Sequence, residues 1–267
     1  MLEQISALGL WTIVFLVLAA LVAGWVDAVV GGGGLIQLPA LLIALPPDTP
    51  PPSILGTNKL SSVAGTITAT LTYLTKVKVH WGTVLPLVIT AYLGASLGAW
   101  LAQFLPKQLF TPIVLLALIG VGIYTWRKPA LGLTSAVKHS GLPHIWRTAA
   151  IGLGIGCYDG ILGPGTGSFF VILLVAVLGY GFLEASAKAK IANLTTNAAA
   201  LVVFGVGGHL LIGLGLLMAL ANLTGGFVGA RMAVSLGNTF VRKVFLAVVG
   251  ALILKLSWDL IAPLISR

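Results

Sequence analysis

The stretch Asp27-Ala-Val-Val-Gly31-Gly-Gly-Gly34 recurs 132 residues later as Asp159-Gly-Ile-Leu-Gly163-Pro-Gly165-Thr-Gly167, each time inside a long apolar run. Lipid offers no water to an acid or to an unpaired peptide group, so a carboxyl followed by glycine-rich backbone survives at that depth only where protein or a wet cavity satisfies it. More of the chain is duplicated at nearly the same offset. Gly94-Ala-Ser-Leu-Gly98 answers Gly225-Gly-Phe-Val-Gly229 at a separation of 131 residues, and Lys59 answers Lys190 at that same separation. Two related halves with a broken helix in each are therefore expected.

Composition points to the bilayer as solvent. Of the 267 residues, 58% are hydrophobic and 8% charged, and the mean hydropathy is +1.08. Such a chain cannot hide its apolar surface in one globular core. A helix crossing a hydrocarbon slab of roughly 30 Å needs about 20 residues, which leaves little sequence for soluble domains. The net charge of +9 is confined mainly to short connectors, where it orients a membrane protein and meets anionic lipid, so no nucleic-acid partner is expected. The single cysteine, Cys157, has no partner for an internal disulfide. Glu3 stands where a secretory leader carries positive charge, so the apolar run from Leu8 is expected to be a retained first helix.

Ten apolar segments can be delimited, at 8–30, 35–45, 54–75, 83–104 and 109–126, then 148–162, 168–182, 187–207, 211–230 and 240–262. The second segment of each half is short and follows the glycines, so the first two segments form either a dipping hairpin or two spans. The longest connector, 127–147, separates the halves: a first transmembrane repeat at 1–127, a linker at 128–147 and a second repeat at 148–267. Placing this basic linker in the cytoplasm fixes the other loops by alternation. Inner loops then hold Lys76, Lys78, Arg127, Lys128, Lys138, Arg147, Lys188, Lys190, Arg231, Arg242 and Lys243, eleven of the 15 basic residues. Both termini are expected on the periplasmic or extracellular face. Five segments per half makes the second copy enter from the opposite side, an inverted repeat. The expected fold is thus an all-α polytopic membrane protein of two inverted five-segment repeats with glycine-broken hairpins.

Asp27 and Asp159 are the two acids embedded in apolar segments; Glu3, Asp48, Glu184 and Asp259 lie at ends or connectors. A helix-centre Asp costs about 2.5 to 3.5 kcal/mol to insert, which calls for compensation. Either the carboxylates brace the bends or they couple transport to a proton or cation. Gly31, Gly32, Gly33 and Gly34, and Gly163, Gly165, Thr166, Gly167 and Ser168, precede or open short helices expected near Leu35 and Ser168. Helix starts present unsatisfied N–H donors, and glycine lets a ligand approach them, so these stretches suit an anion. Gly94, Gly98, Gly225 and Gly229 have no polar company and fit close helix packing. A second polar layer comes from Asn58 and Lys59 in one half and from Lys190, Asn193 and Asn197 in the other, the last three on one helical face. The lysines either attract anions at opposite mouths or snorkel to the interface. Asn222 is a further donor, and His209 sits at an outer turn.

Together these motifs resemble the sulfite exporter TauE/SafE family of membrane transporters. The likeness rests on Asp27-Ala-Val-Val-Gly-Gly-Gly-Gly-Leu-Ile with Pro39, Gly56-Thr-Asn-Lys-Leu60, Tyr158-Asp-Gly-Ile-Leu-Gly-Pro-Gly-Thr-Gly-Ser168 and Lys190-Ile-Ala-Asn-Leu-Thr-Thr-Asn197. The resemblance implies a bacterial inner-membrane secondary transporter that exports sulfite, sulfonate or a related small sulfur oxyanion, driven by a proton or ion gradient, with no cofactor and no enzymatic step. Two other readings stand beside it. One is a cation carrier using Asp27 and Asp159, against which two isolated acids without His or Cys make a poor metal site. The other is an intramembrane hydrolase with Ser168 as nucleophile and His209 as base, although N-capping would explain Ser168 and no third residue orients the histidine. Oligomeric state is not legible.

Overall fold

A computed structural model describes residues 8–46, 48–102 and 132–265. Its helices are α1 (Leu10–Val30), α2 (Gly34–Ala44), α3 (Pro51–Leu74), α4 (Trp81–Leu101), α5 (Gly141–Ile161), α6 (Thr166–Leu173), α7 (Phe182–Val206) and α8 (Ile212–Ile265), with no strand among the described residues. The last turn of α6 widens into a π-helical stretch, Leu174–Leu178. The predicted fifth segment, 109–126, lies outside the described residues.

Most boundaries follow the apolar runs, and two helix starts do not. Helix α5 starts at Gly141, inside the stretch assigned to the linker, because Pro143, His144, Arg147 and Thr148 interrupt the apolar residues of its first turns. Helix α7 starts at Phe182 and takes in Lys188 and Lys190, which hydropathy had assigned to an inner loop; both are fully buried. The run α8 is two helices joined at Gly237 (φ 70°, ψ −164°), inside the connector expected at 231–239, so the ninth and tenth segments are separate as the apolar runs imply.

Among the described residues, four helices are long and apolar enough to cross a membrane: α1, α4, α7 and α8 as far as Ala251. The chain is a multi-pass membrane protein. Large apolar side chains such as Trp11 (83% exposed) and Val206 (87%) face outward, where lipid and not water would meet them. Helix α3 has 24 residues but a polar face, with Thr57, Asn58, Lys59, Ser61 and Thr66 all buried. Helix α2 has 11 residues, a length of about 16 Å at 1.5 Å per residue, roughly half the hydrocarbon thickness. Helix α2 alone is thus too short to cross, so α1 and α2 do not make two full spans.

Glycine sets how closely the helices approach. Helix α4 packs along α5, and α8 packs along α1 and α3. A methyl group on Gly94 or Gly98 would run into the α5 backbone at Leu153 and Cys157, and one on Gly225 or Gly229 into the α1 backbone at Leu21 and Trp25. These glycines therefore serve packing, as their apolar surroundings imply. Helix α6 lies deepest, buried from Thr166 through Ile172, and its Phe170 belongs to the same core as Phe182, Phe245 and Tyr73.

Candidate functional site

The two glycine bends touch. Helix α1 ends where Gly31 turns left-handed (φ 81°) and returns its N–H to the Asp27 carbonyl at 2.7 Å. That conformation and the lack of a side chain let the Gly31 backbone lie directly on Gly167. Across the seam the Ser168 N–H donates to Gly31 O (3.1 Å) and the Ser168 hydroxyl donates to Val30 O (2.8 Å). Gly34, opening α2, packs against Gly163 and Pro164. Ser168 is the third residue of α6 and Gly165 is the N-cap. The N-cap role expected for Ser168 is therefore replaced by a bond between the two hairpins, made because the α1 carbonyls lose their helical partners at the bend.

Each embedded acid meets the lysine of the other half. Lys59, on α3, places Nζ 2.7 Å from Asp159 Oδ2 on α5 and donates to Asn197 Oδ1 on α7 at 3.1 Å. Lys190, on α7, lies 3.0 Å from Asp27 Oδ2 on α1 and also donates to the Asp27 carbonyl. Thr166 completes the first pair by donating to Asp159 Oδ1 at 2.7 Å, and Asn193 approaches both Asp27 oxygens at 3.4 Å. The lysines thus sit at the acids and not at opposite mouths. The reason is energetic, since an unpaired ammonium or carboxylate has no water here and removing either partner of such a pair costs about 3–5 kcal/mol. One asymmetry remains: the side chain of Asp27 is 16% exposed and that of Asp159 is 1%.

Between the pairs lies a polar cavity of about 20 Å³, room for roughly one water molecule. Asp27, Gly31, Gly34, Asn58, Lys59, Asp159, Gly163, Thr166, Gly167, Asn193 and Asn197 line it, with Ser62 added from α3. Of the other residues expected at the site, Lys190 stands behind Asp27, Ser168 is bonded to Val30, and Gly32, Gly33 and Gly165 shape the bends without lining the cavity. Asn58 Oδ1 is buried without a hydrogen-bond partner, at a residue 4% exposed.

Two polar clusters were not foreseen as clusters. Gln37, fully buried on α2, accepts from Ser61 (3.2 Å) and Asn222 (2.9 Å) and donates to the Asn58 carbonyl at 3.3 Å, so it braces α3 behind the cavity. Asn222 is therefore a brace and not a cavity donor. Toward the α5 start, Thr83 joins the His144 ring (2.8 Å) and the Tyr180 hydroxyl (2.7 Å), and Lys188 lies 3.9 Å over the Tyr180 ring while pairing with Glu184. The signal for both was a polar side chain inside an apolar helix, but contact separations of 21 to 185 residues around Gln37 and of 36 to 97 among Thr83, His144 and Tyr180 hid the partners.

Other chemistries are less well served. Both acids are already paired with lysine, and no group of three or more His, Cys, Asp or Glu could hold a metal ion among the described residues. The Ser168 hydroxyl is bonded to a carbonyl, and His209 lies in the turn between α7 and α8 with its own N–H on Phe204 O.

A lipid-facing helical bundle with a small charged cavity at the meeting point of two interrupted helices is the build of a membrane transporter. The chain belongs to the sulfite exporter TauE/SafE family, whose sequence model matches residues 16–256. Over 251 residues it is 39% identical to the "Probable membrane transporter protein ORF9" of Sinorhizobium sp, covering 94% of each chain. It is 32% identical over 252 residues to a "Probable membrane transporter protein" of Haemophilus influenzae, covering 94% of this chain and 97% of that one. With the "Probable membrane transporter protein YfcA" of Escherichia coli K12 the identity is 31% over 242 residues, 90% of this chain and 87% of the other. No solved structure matches the chain.

Proposed function

We propose that this protein is a proton-coupled secondary exporter of sulfite, sulfonate or a related small sulfur-containing anion in the bacterial inner membrane, with both termini on the outer face. The observation that carries the reading is the crossed arrangement of Lys59 with Asp159 and Lys190 with Asp27 around one polar cavity. Each pair joins the two halves, and the partners exchange when the halves exchange. That pattern, with the matching glycine contacts of α4 on α5 and α8 on α1, supports an inverted repeat.

The pairs also suggest how one site takes both an anion and a proton, with the outward gradient of the anion driving export. With both pairs intact the four charges sum to zero, and an arriving anion finds no free cation. Protonating Asp27 or Asp159 would release its lysine, which then pairs with the anion, so the buried charge stays balanced throughout. The amides of Gly34 and Gly167, opening α2 and α6, and the side chains of Asn58, Asn193 and Asn197 add hydrogen-bond donors. A cavity sized for about one water is too small for a sulfur oxyanion. Loading therefore requires the bends to separate, and resealing them on the far side would complete alternating access.

The test is purified protein in liposomes carrying an internal pH dye, with sulfite, a sulfonate or thiosulfate added under an imposed proton gradient. Anion movement accompanied by proton movement is expected. Absence of flux for all three anions, with proton or sodium gradients, would discard the substrate assignment.

A further inference from the structure

A second site lies on the lipid-facing surface, apart from the central cavity. A groove of roughly 770 Å³ runs between the end of α3 and the middle of α8, lined by Leu71, Thr75, Lys76, Phe227, Arg231 and Met232 among others. Its walls are apolar and open, with Leu71 59% and Phe227 40% exposed. Two cations border it. Lys76 and Arg231 are both exposed, and neither pairs with a carboxylate among the described residues. The Arg231 guanidinium lies 4.3 Å over the Phe227 ring, and Met232 is tethered by the Trp25 indole N–H at 3.2 Å, so both the charge and the floor are held in place.

We infer that this groove holds an anionic phospholipid, its phosphate between Lys76 and Arg231 and an acyl chain along Leu71 and Phe227. Acyl chains are as comfortable in the bulk bilayer as against leucine, so the apolar wall alone selects no lipid. Selection comes from the two unneutralised cations, at the end of the bundle that the charge distribution assigns to the cytoplasmic leaflet. The hydroxyls do not compete for this role, because Thr75 and Ser235 already donate to Thr72 O and Met232 O.

Native mass spectrometry of the purified full-length protein in detergent tests this, with phosphatidylglycerol and phosphatidylcholine of identical chains added in parallel. The wild type should retain phosphatidylglycerol preferentially, and Lys76→Gln/Arg231→Gln should weaken that retention roughly tenfold or more. Lys76→Arg/Arg231→Lys, which keeps the charge, should retain it, as should Arg147→Gln, which removes an exposed cation elsewhere. Equal retention of both lipids would overturn the inference, as would an equal loss in Arg147→Gln. A dimer peak that Lys76→Gln/Arg231→Gln abolishes would overturn it too, by assigning the groove to a second copy of the chain.

Discussion

Breaking one crossed pair should cost more than deleting it. In Asp159→Ala, the Lys59 ammonium keeps only Asn197 Oδ1 at 3.1 Å while remaining 3% exposed, a loss of about 3–5 kcal/mol for an orphaned buried charge. Lys59→Met leaves the buried Asp159 carboxyl with the Thr166 hydroxyl at 2.7 Å and no counter-charge, so a loss of about 3–5 kcal/mol is expected there too. The double variant has neither charge, and methionine fills the volume of the lysine stem. Its cost should fall to about 1–2 kcal/mol, well below the sum of the singles. Thermal unfolding followed by the fluorescence of the seven tryptophans gives the readout, at about 2–4 °C per kcal/mol for a chain of this size. Asp159→Ala should melt roughly 10 °C low and the double variant should recover most of that. If the losses simply add, the pair is not an energetic unit and the charge-balance mechanism loses its basis.

Three further outcomes follow from the same geometry. Gly31→Ala combines a left-handed backbone with a collision on Gly167 and should prevent a monodisperse protein from being purified, whereas Gly32→Ala meets its nearest side chains at 3.4 Å and should cost under about 1 kcal/mol in a melting assay. Asn58→Ala removes an acceptor with no partner, so melting should stay level or rise by about 1 kcal/mol while anion flux in liposomes falls; a large loss of stability would show a partner for that oxygen. A hydrophobic carbodiimide should label Asp27, with its 16% exposed side chain, well before Asp159 at 1%, as read by peptide mass mapping; the reverse order would contradict the accessibility assigned to the two acids.

Hydropathy and repetition made much of this architecture legible. The runs around Leu10–Val30, Pro51–Leu74 and Trp81–Leu101 delimit their helices closely, and the glycine stretches mark the interruptions that lie together in the fold. The site residues were legible as types, since an acid, an ammonium or an amide inside an apolar helix needs a partner. What was not legible was the pairing. Lys190 is 163 residues from Asp27, and a helical wheel gives no preference between partners in the same half and in the other. A matched offset for two acids and two lysines was nevertheless a usable sign, because equal numbers of opposite buried charges must neutralise each other somewhere. Lys188 and Lys190 misled for a related reason. Hydropathy treats any lysine as a surface residue, whereas α7 buries both with carboxylate partners. The helical start at Gly141 was hidden because Pro143, His144, Arg147 and Thr148 interrupt its apolar residues.

The crossed pairing also bears on biogenesis. Asp27 leaves the ribosome 163 residues ahead of Lys190, a delay of roughly 8–30 s at ordinary elongation rates. During that interval the nascent first half carries an unmatched carboxylate and an unmatched ammonium into the insertion machinery. Each such charge makes lateral exit into lipid less favourable, by up to about 2.5 to 3.5 kcal/mol, until the second half arrives. Fragments cut in the central connector should accordingly be degraded when made singly and rescued when made together, each supplying the counter-charge that the other lacks.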